Sequence, residues 1–364
     1  MKISGAVVEA PGGPFQMAEL DLDEHRSDEA VVRIEAVGLC HTDISFAGGW
    51  GIPFPLLLGH EGAGVVERVG AAVTQVTPGD HVVISFAWCG HCDACLDGHP
   101  ALCASMPIEN MGGSRPDGSA TVQREGQTIH ANFFGQSSLA THAVCREQHL
   151  VKIDPDTPFE VAAPLGCGVQ TGAGAVFNVL RPGPGDPFAV FGAGAVGLSA
   201  LLAAKLCGAH PIVVVEPHAS RRQLAQELGA TAAFDAAEPG LLDQLLQVSS
   251  GGFVAALDTS GNTDVIRNAF KMLRQRGALA LVGINDPGAD VTFPLLELMT
   301  GKRVYGTIEG DSVPRLFIPK LLRLWRGGLF PIERLCRAFP LSAIGEAVEA
   351  ARSGEVIKPV LLPQ

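Results

Sequence analysis

Apolar positions in the first 150 residues alternate with polar ones or run in short stretches. Residues 3–9, 30–37, 62–69 and 81–86 read as strands, with Pro/Gly turns at 11–14 and 77–80. Residues 112–126 are polar and glycine-rich, the pattern of a surface loop. Beyond Pro158 the period changes. Residues 160–179 read as helix, 187–191 as strand, 195–208 as helix, 211–216 as strand and 218–229 as helix. Strands at 254–258 and 277–283 follow, around a helix at 262–274. Short apolar strands alternating with helices predict an α/β fold with a doubly wound parallel sheet. An amphipathic helix at 314–327 comes next. The closing segment 356–363 is apolar and is expected to return to the first, mainly-β part.

A chain of 364 residues exceeds one ordinary core and predicts two domains. With 47% apolar and 18% charged residues, disorder is excluded. A net charge of -12 argues against nucleic acid or an anionic membrane as partner. Residues 188–204 are apolar enough to suggest a membrane span, but glycines interrupt them and Lys205 ends them. No apolar run near Met1 is long enough for a secretory signal, so the chain reads as a soluble cytoplasmic protein. In that reducing compartment, nine cysteines point to metal or thiol chemistry rather than disulfides.

Four of the nine, Cys89, Cys92, Cys95 and Cys103, have the spacing C-x2-C-x2-C-x7-C, with turn residues Gly90, Gly98 and Pro100 among them. Four thiolates around tetrahedral zinc leave no room for water, which marks a structural site. Unrelated buried cysteines, a disulfide pair or an iron–sulfur cluster are the alternatives. Cys40, His60 and Cys167 are dispersed, each with a glycine close by. Two thiolates and one imidazole leave a fourth zinc position open, the catalytic arrangement, and Asp43 is placed to orient His60. Taken singly, each of these residues reads equally well as structural. Gly192-Ala-Gly194-Ala-Val196-Gly197 follows a predicted strand and opens a helix, and Glu216 ends the next strand. That context fits a dinucleotide whose pyrophosphate sits at the helix N-terminus. Glu216 favours NAD by accepting ribose hydroxyls and repelling a 2′-phosphate, with Arg221 and Arg222 close enough to oppose it. A glycine turn needed for packing alone is the alternative.

Together these segments resemble the zinc-dependent medium-chain alcohol dehydrogenases. The likeness rests on Gly38-Leu-Cys40-His-Thr-Asp43, Gly59-His-Glu-Gly-Ala-Gly-Val-Val66, the four-cysteine lobe, Cys167-Gly168, and Gly192 to Gly197. It implies a GroES-like catalytic domain at 1–168 and 309–364, with a structural zinc lobe at 89–103, and a Rossmann NAD domain at 169–308. It implies two zinc ions per chain. Cys40, His60 and Cys167 hold the catalytic one, with Glu61 an occasional alternative ligand. Thr42 is the hydroxyl that takes the substrate proton. His41 is expected near the cofactor pyrophosphate and Thr171 against the nicotinamide. Many family members have a histidine where this chain has Ser45, and serine is no base near neutral pH.

Residues 133–140, 110–118 and Glu309-Gly-Asp-Ser312 look most like the aryl or benzyl alcohol branch, which also includes enzymes for allylic terpene alcohols. Trp50, Phe86 and Phe133-Phe134 match regions that line the family's channel to zinc; core packing is the alternative. The resemblance therefore implies reversible oxidation of a primary aromatic or allylic alcohol to its aldehyde with NAD. The partners implied are that small molecule and further copies of the chain, as a homodimer or homotetramer. Formaldehyde-type, polyol and cinnamyl-type dehydrogenases, some using NADP, are the enzymatic alternatives. A non-catalytic NAD-binding structural or sensor protein is the other. Cys145, Cys207 and Cys336 read as buried filler.

Overall fold

The computed structural model of the chain describes residues 1–283 and 286–363. Two units emerge. The first comprises Met1–Cys167, Val313–Arg323 and the chain from Pro331 onward; the second comprises Gly168–Ser312 and Leu324–Phe330. The first junction falls one residue before the expected one. The second falls four residues after it, at Ser312, and a short stretch beyond it returns to the second unit.

The strands, in chain order, are β1 Lys2–Val8, β2 Phe15–Leu22, β3 Glu29–Gly38, β4 Leu56–Leu57, β5 Gly62–Val69, β6 His81–Ile84, β7 Val122–Arg124, β8 Gln127–Ile129, β9 His142–Arg146 and β10 Leu150–Lys152. The second unit continues with β11 Phe188–Phe191, β12 Ile212–Val215, β13 Ala232–Phe234, β14 Phe253–Asp258, β15 Leu273–Leu281 and β16 Arg303–Gly306. The chain closes with β17 Cys336–Pro340 and β18 Lys358–Leu362.

In the first unit one sheet runs β4-β1-β2-β7-β8 and another runs β10-β6-β5-β3-β18-β17, with β9 also paired to β3. The closing segment does return: Val360 pairs with Gly38 and Leu361 with Val37, antiparallel. The strands form because β-branched residues alternate into a core that includes Val32, Ile34, Val66, Ile84 and Leu139. Residues 112–126 are irregular and at least partly exposed for most of their length, as expected of a surface loop, but not throughout. They contain β7, and Arg115 among them is 3% exposed, donating to Glu29 Oε1 (2.7 Å) and Oε2 (3.0 Å). Its charge is tolerable inside because its partner, far off in sequence, matches it bidentately.

The second unit is a parallel sheet in the order β13-β12-β11-β14-β15-β16. Continuous apolar strands such as Ile212–Val215 are buried on both faces, as helix-covered parallel strands must be. The crossing over of strand order between β12 and β14 puts β11 at the topological switch point, where ligands of such sheets bind. The helix expected over 160–179 is broken. Phe159–Ala162 passes into a tight turn Ala163–Gly166 containing Pro164, Cys167 leaves the helical region, and Gly168–Gly174 resumes before a π-helical turn Ala175–Leu180. Proline's missing N–H and fixed φ explain a break here. No helix among the described residues is long and apolar enough to cross a membrane.

Candidate active site

Cys40 immediately precedes the short helix His41–Ala47, in extended backbone. Its N–H donates to Asp43 Oδ2 (3.0 Å). Asp43 Oδ1 accepts from Gly59 N–H (3.0 Å) and from His60 Nδ1 (3.0 Å), and both side chains are completely buried. One carboxylate thus fixes the Cys40 turn and the His60 ring together. With the ring proton on Nδ1, Nε2 carries the lone pair. That Nε2 is buried and has no hydrogen-bond partner among the described residues. One ligand atom from each of Cys40, His60, Glu61 and Cys167 lies within 4.8 Å of the others. Contact with Cys167 holds the Cys40 thiol well below its ordinary range, overcoming burial, with Lys358 and His60 acting the same way. Two soft sulfur donors and an imidazole nitrogen aimed at one point fit zinc.

Sequence reasoning missed the partner of Glu61. Glu61 is fully buried, and its Oε1 accepts from Lys358 Nζ (2.8 Å), which also donates to Leu39 O (3.2 Å). Burial opposes a charge on Lys358. Glu61 and Cys40 outweigh that, and the ammonium is held above its ordinary range. Gly38 is required beside the pair, because a Cβ there would stand 1.9 Å from Glu61 Oε2. Lysine 358 has no local signal in the sequence; only the pairing of β18 with β3 brings it in.

Thr42 is half-buried, with Oγ1 3.7 Å from Cys40 Sγ. His41 is exposed at the start of the same helix. Ser45 Oγ donates back to His41 O (3.1 Å), so its hydroxyl is engaged within the helix. The aromatic residues need correction. Phe133 is 0% and Phe86 2% exposed, both inside the core, and neither offers surface to a substrate. Phe133 instead packs edge-on against His60, with ring centroids 5.4 Å apart, and Phe134 lies 4.6 Å from the same ring. Trp50 is half-buried against Phe46.

The cysteines at 89–103 form a second cluster, again with one Sγ from each within 4.8 Å of the rest. Cys103 Sγ accepts from Cys89 N–H (3.3 Å) and Cys92 Sγ from Ala104 N–H (3.4 Å). That second amide, with the Cys95 amide, brings the Cys92 thiol down to about 6, whereas burial pushes Cys95 up to about 12. Four sulfurs with amide donors around them fit a closed tetrahedral zinc. Cys145 is buried and Cys207 and Cys336 half-buried; none of the three belongs to either cluster, although Cys336 faces Lys358 across β17 and β18.

In the second unit the turn Gly192–Gly197 joins β11 to the helix Ala195–Leu206, with Gly194 as its cap. A Cβ at Gly197 would stand 1.9 Å from Gly192 O, whereas one at Gly194 would meet nothing within 4 Å. The first fact demands glycine for packing. The second leaves open space at the helix N-terminus, which fits a dinucleotide pyrophosphate. Val196 is half-buried on the same turn. Glu216, at the end of β12, is 3% exposed; it accepts from Ala193 N–H (2.7 Å) and His218 N–H (2.9 Å). It therefore braces the turn as well as presenting a carboxylate beside it. Arg221 is half-buried within the attraction of Glu216. Arg222 is committed to Glu216 O and Pro217 O (2.7 Å each) and to Asp235 (3.0 Å). Thr171 is buried, with Oγ1 3.4 Å from Glu309 Oε2, which also accepts from Gln170 Nε2 (3.1 Å).

Known proteins give this geometry a family. Residues 26–155 match the alcohol dehydrogenase GroES-like domain, and 195–324 match the zinc-binding dehydrogenase model. The chain is 45% identical over 360 residues to geraniol dehydrogenase of Castellaniella defragrans, covering 98% of this chain and 96% of that protein. A crystal structure of an alcohol dehydrogenase zinc-binding domain protein from Burkholderia ambifaria superposes with a TM-score of 0.97 at 42% identity. Benzyl alcohol dehydrogenase from Acinetobacter calcoaceticus does so with a TM-score of 0.96 at 37% identity. Both alignments cover 100% of each chain. A GroES-like unit with two clusters of zinc-type donors, a Rossmann unit and these relatives lead to one assignment: the chain is an oxidoreductase of the zinc-dependent medium-chain alcohol dehydrogenase family, in its aryl and allylic branch.

Proposed function

We propose that the protein interconverts a primary aromatic or allylic alcohol and its aldehyde, with NAD as hydride acceptor and two zinc ions per chain. The observation that carries this reading is the meeting of Cys40, His60 and Cys167 donor atoms within 4.8 Å, with the Thr42 hydroxyl beside Cys40. When bound, zinc supplies a Lewis acid toward an alcohol oxygen and NAD supplies the hydride acceptor. Cys40, His60 and Cys167 hold the metal, and Asp43 keeps the His60 lone pair turned to it. Glu61, anchored by Lys358, stands next to the donors as an alternative ligand. Thr42 receives the alcohol proton and passes it outward. Ser45, bonded to His41 O, is not the base that finally takes it. By resemblance to the family, His41 is read as a contact of the cofactor pyrophosphate and Thr171 as a contact of the nicotinamide. Cys89, Cys92, Cys95 and Cys103 hold the structural zinc.

Glu216 supports NAD over NADP. Its carboxylate is fixed beside the glycine turn, and Arg222, one of two rivals for a 2′-phosphate, is occupied by backbone carbonyls and Asp235. The substrate class is supported by the names of the relatives, one acting on geraniol and one on benzyl alcohol. Conjugation stabilises the aldehydes of such alcohols and eases hydride loss. Self-association as a homodimer or homotetramer is supported by β16 ending its sheet and by the exposed Leu295, Leu296 and Met299. The test is a panel of benzyl alcohol, an allylic terpene alcohol, hexanol and ethanol, each with NAD and with NADP, following absorbance of the reduced cofactor. The expected result is a kcat/KM for the first two at least about tenfold above ethanol, with NAD. Equal or better efficiency with ethanol would sink the substrate class and leave the dehydrogenase standing.

A further inference from the structure

We propose that Gln136 is a positioning residue for the metal site: its side-chain amide holds the peptide that carries His60 and Glu61. The proposal rests on the metal-site reading above. Gln136 is 3% exposed, and its polar atoms are all spent on this task. Oε1 accepts from Gly62 N–H (3.0 Å), and Nε2 donates to His60 O (3.0 Å). Nε2 also lies 3.4 Å from Ile84 O and 3.5 Å from Ser85 O. A neighbouring strand would use the same carbonyl at 60 and the same N–H at 62. The side chain therefore substitutes for a strand at the start of β5, where Gly38 N–H donates to Glu61 O on the other edge (3.0 Å). Glu61 is bracketed from both sides, and the directions of His60 and Glu61 follow from its fixed backbone.

The reach extends to the third donor. Ser85, whose carbonyl lies near Gln136, donates its hydroxyl to Gly166 O (3.0 Å), one residue before Cys167. Gln136 thus sits where the His60 and Cys167 segments are tied together.

The loop that delivers Gln136 is held in an unusual backbone. Asn132, Phe134, Gly135 and Ser137 have φ of 66°, 51°, 68° and 54°. Three of these carry a Cβ, for which the left-handed region is costly, and such runs persist only where the surroundings enforce them. Here Ser137 Oγ accepts from Phe133 N–H (2.9 Å) and donates to Leu57 O (2.7 Å). The contorted path puts Phe133 and Phe134 on the His60 ring and Gln136 on its peptide at once. Gly62 completes the fit, since a Cβ there would stand 2.7 Å from Ser138 Cβ. The imidazole is consequently confined by Asp43 at Nδ1 and by two rings, and Nε2 is left facing Cys40 and Cys167.

The experiment uses the full-length zinc-loaded protein, with Gln136→Met and Gln136→Glu. Methionine keeps the length and loses every hydrogen bond. Glutamate keeps the acceptor for Gly62 N–H and loses the donor to His60 O. Zinc release to a chelator, the visible spectrum after cobalt replacement at the Cys40 site, and melting of the metal-free protein are measured together. Release of one of two zinc ions about ten- to a hundredfold faster in Gln136→Met is expected, with a shifted cobalt band. The zinc of the cysteine lobe should leave at the wild-type rate, and metal-free melting should fall by only a few degrees. Gln136→Glu should shift the band in the same sense and serves if the methionine variant does not fold. Unchanged release and spectrum in either folded variant overturns the proposal. So does faster loss of both zinc ions together, since that is a general loss of structure. A wild-type protein holding zinc in the lobe alone overturns the site reading first, and the proposal with it.

Discussion

Cys89, Cys92, Cys95 and Cys103 meet within one short excursion of the chain, whereas Cys40, His60 and Cys167 come from three separate segments of the same unit. The lobe organises itself. Its sulfurs take amide donors from Cys89 and Ala104, within the lobe or next to it, and three of its four cysteines are only partly buried. The dispersed cluster is held from outside itself, by Asp43, Lys358 and aromatic rings, and His60 and Glu61 are completely buried. A closed site needs only its metal to define its shape. An open site must hold its shape with a coordination position unfilled by protein, so the surrounding protein has to supply the rigidity.

That contrast can be broken in four ways, from the largest expected effect to the smallest. His60→Ala or Cys40→Ala should lower kcat/KM by more than about a thousandfold while the protein stays folded, binds NAD and keeps the lobe zinc. Normal turnover in either would remove the metal from the Cys40 site. Cys95→Ser should lose one zinc and melt more than about 10 °C early, because structural zinc contributes folding energy directly. Retention of both metals and of the wild-type melting curve would dissolve the distinction between the clusters.

Asp43→Asn should weaken zinc at the dispersed site by about ten- to a hundredfold, read by chelator competition, and leave the lobe untouched. Equal weakening at both would mean that Asp43 serves the unit rather than the site. Glu216→Ala is the control in the other unit. It should raise the NAD dissociation constant about tenfold and ease rejection of NADP, with zinc content unchanged. A wild-type preference for NADP would show that Arg221 prevails.

The same contrast governs what the sequence could show. The lobe's spacing is local, and so is the glycine turn between β11 and its helix; both are visible in a line of letters. The centre of the parallel sheet was legible because β11 and β12 are uninterrupted apolar runs. β13 and the helix Leu241–Val248 were not, for physical reasons. The strand has three half-buried residues, and the helix begins after Gly240 rather than a side-chain cap. Phe86 and Phe133 are bulky residues near ligand segments, and sequence cannot tell a channel wall from a core wedge. Arg115, Gln136 and Lys358 are polar letters that look solvated. Each is buried because its partner arrives from a distant strand or loop. Polar residues with remote partners are the least legible class, since neither period nor spacing marks them.

The pairing of β18 with β3 also orders events during synthesis. Cys40, His60 and Cys167 leave the ribosome early, but the lysine that balances Glu61 lies on the last strand. Until that strand is made, the edge of β3 at Val37 and Gly38 has no β18 to cover it and the buried carboxylate has no counter-charge. The second unit is complete in sequence by Phe330 and can fold in the meantime. The unit that begins the chain is therefore the last whose strands are all made, and its Glu61–Lys358 pair can form only after the second unit has been synthesised.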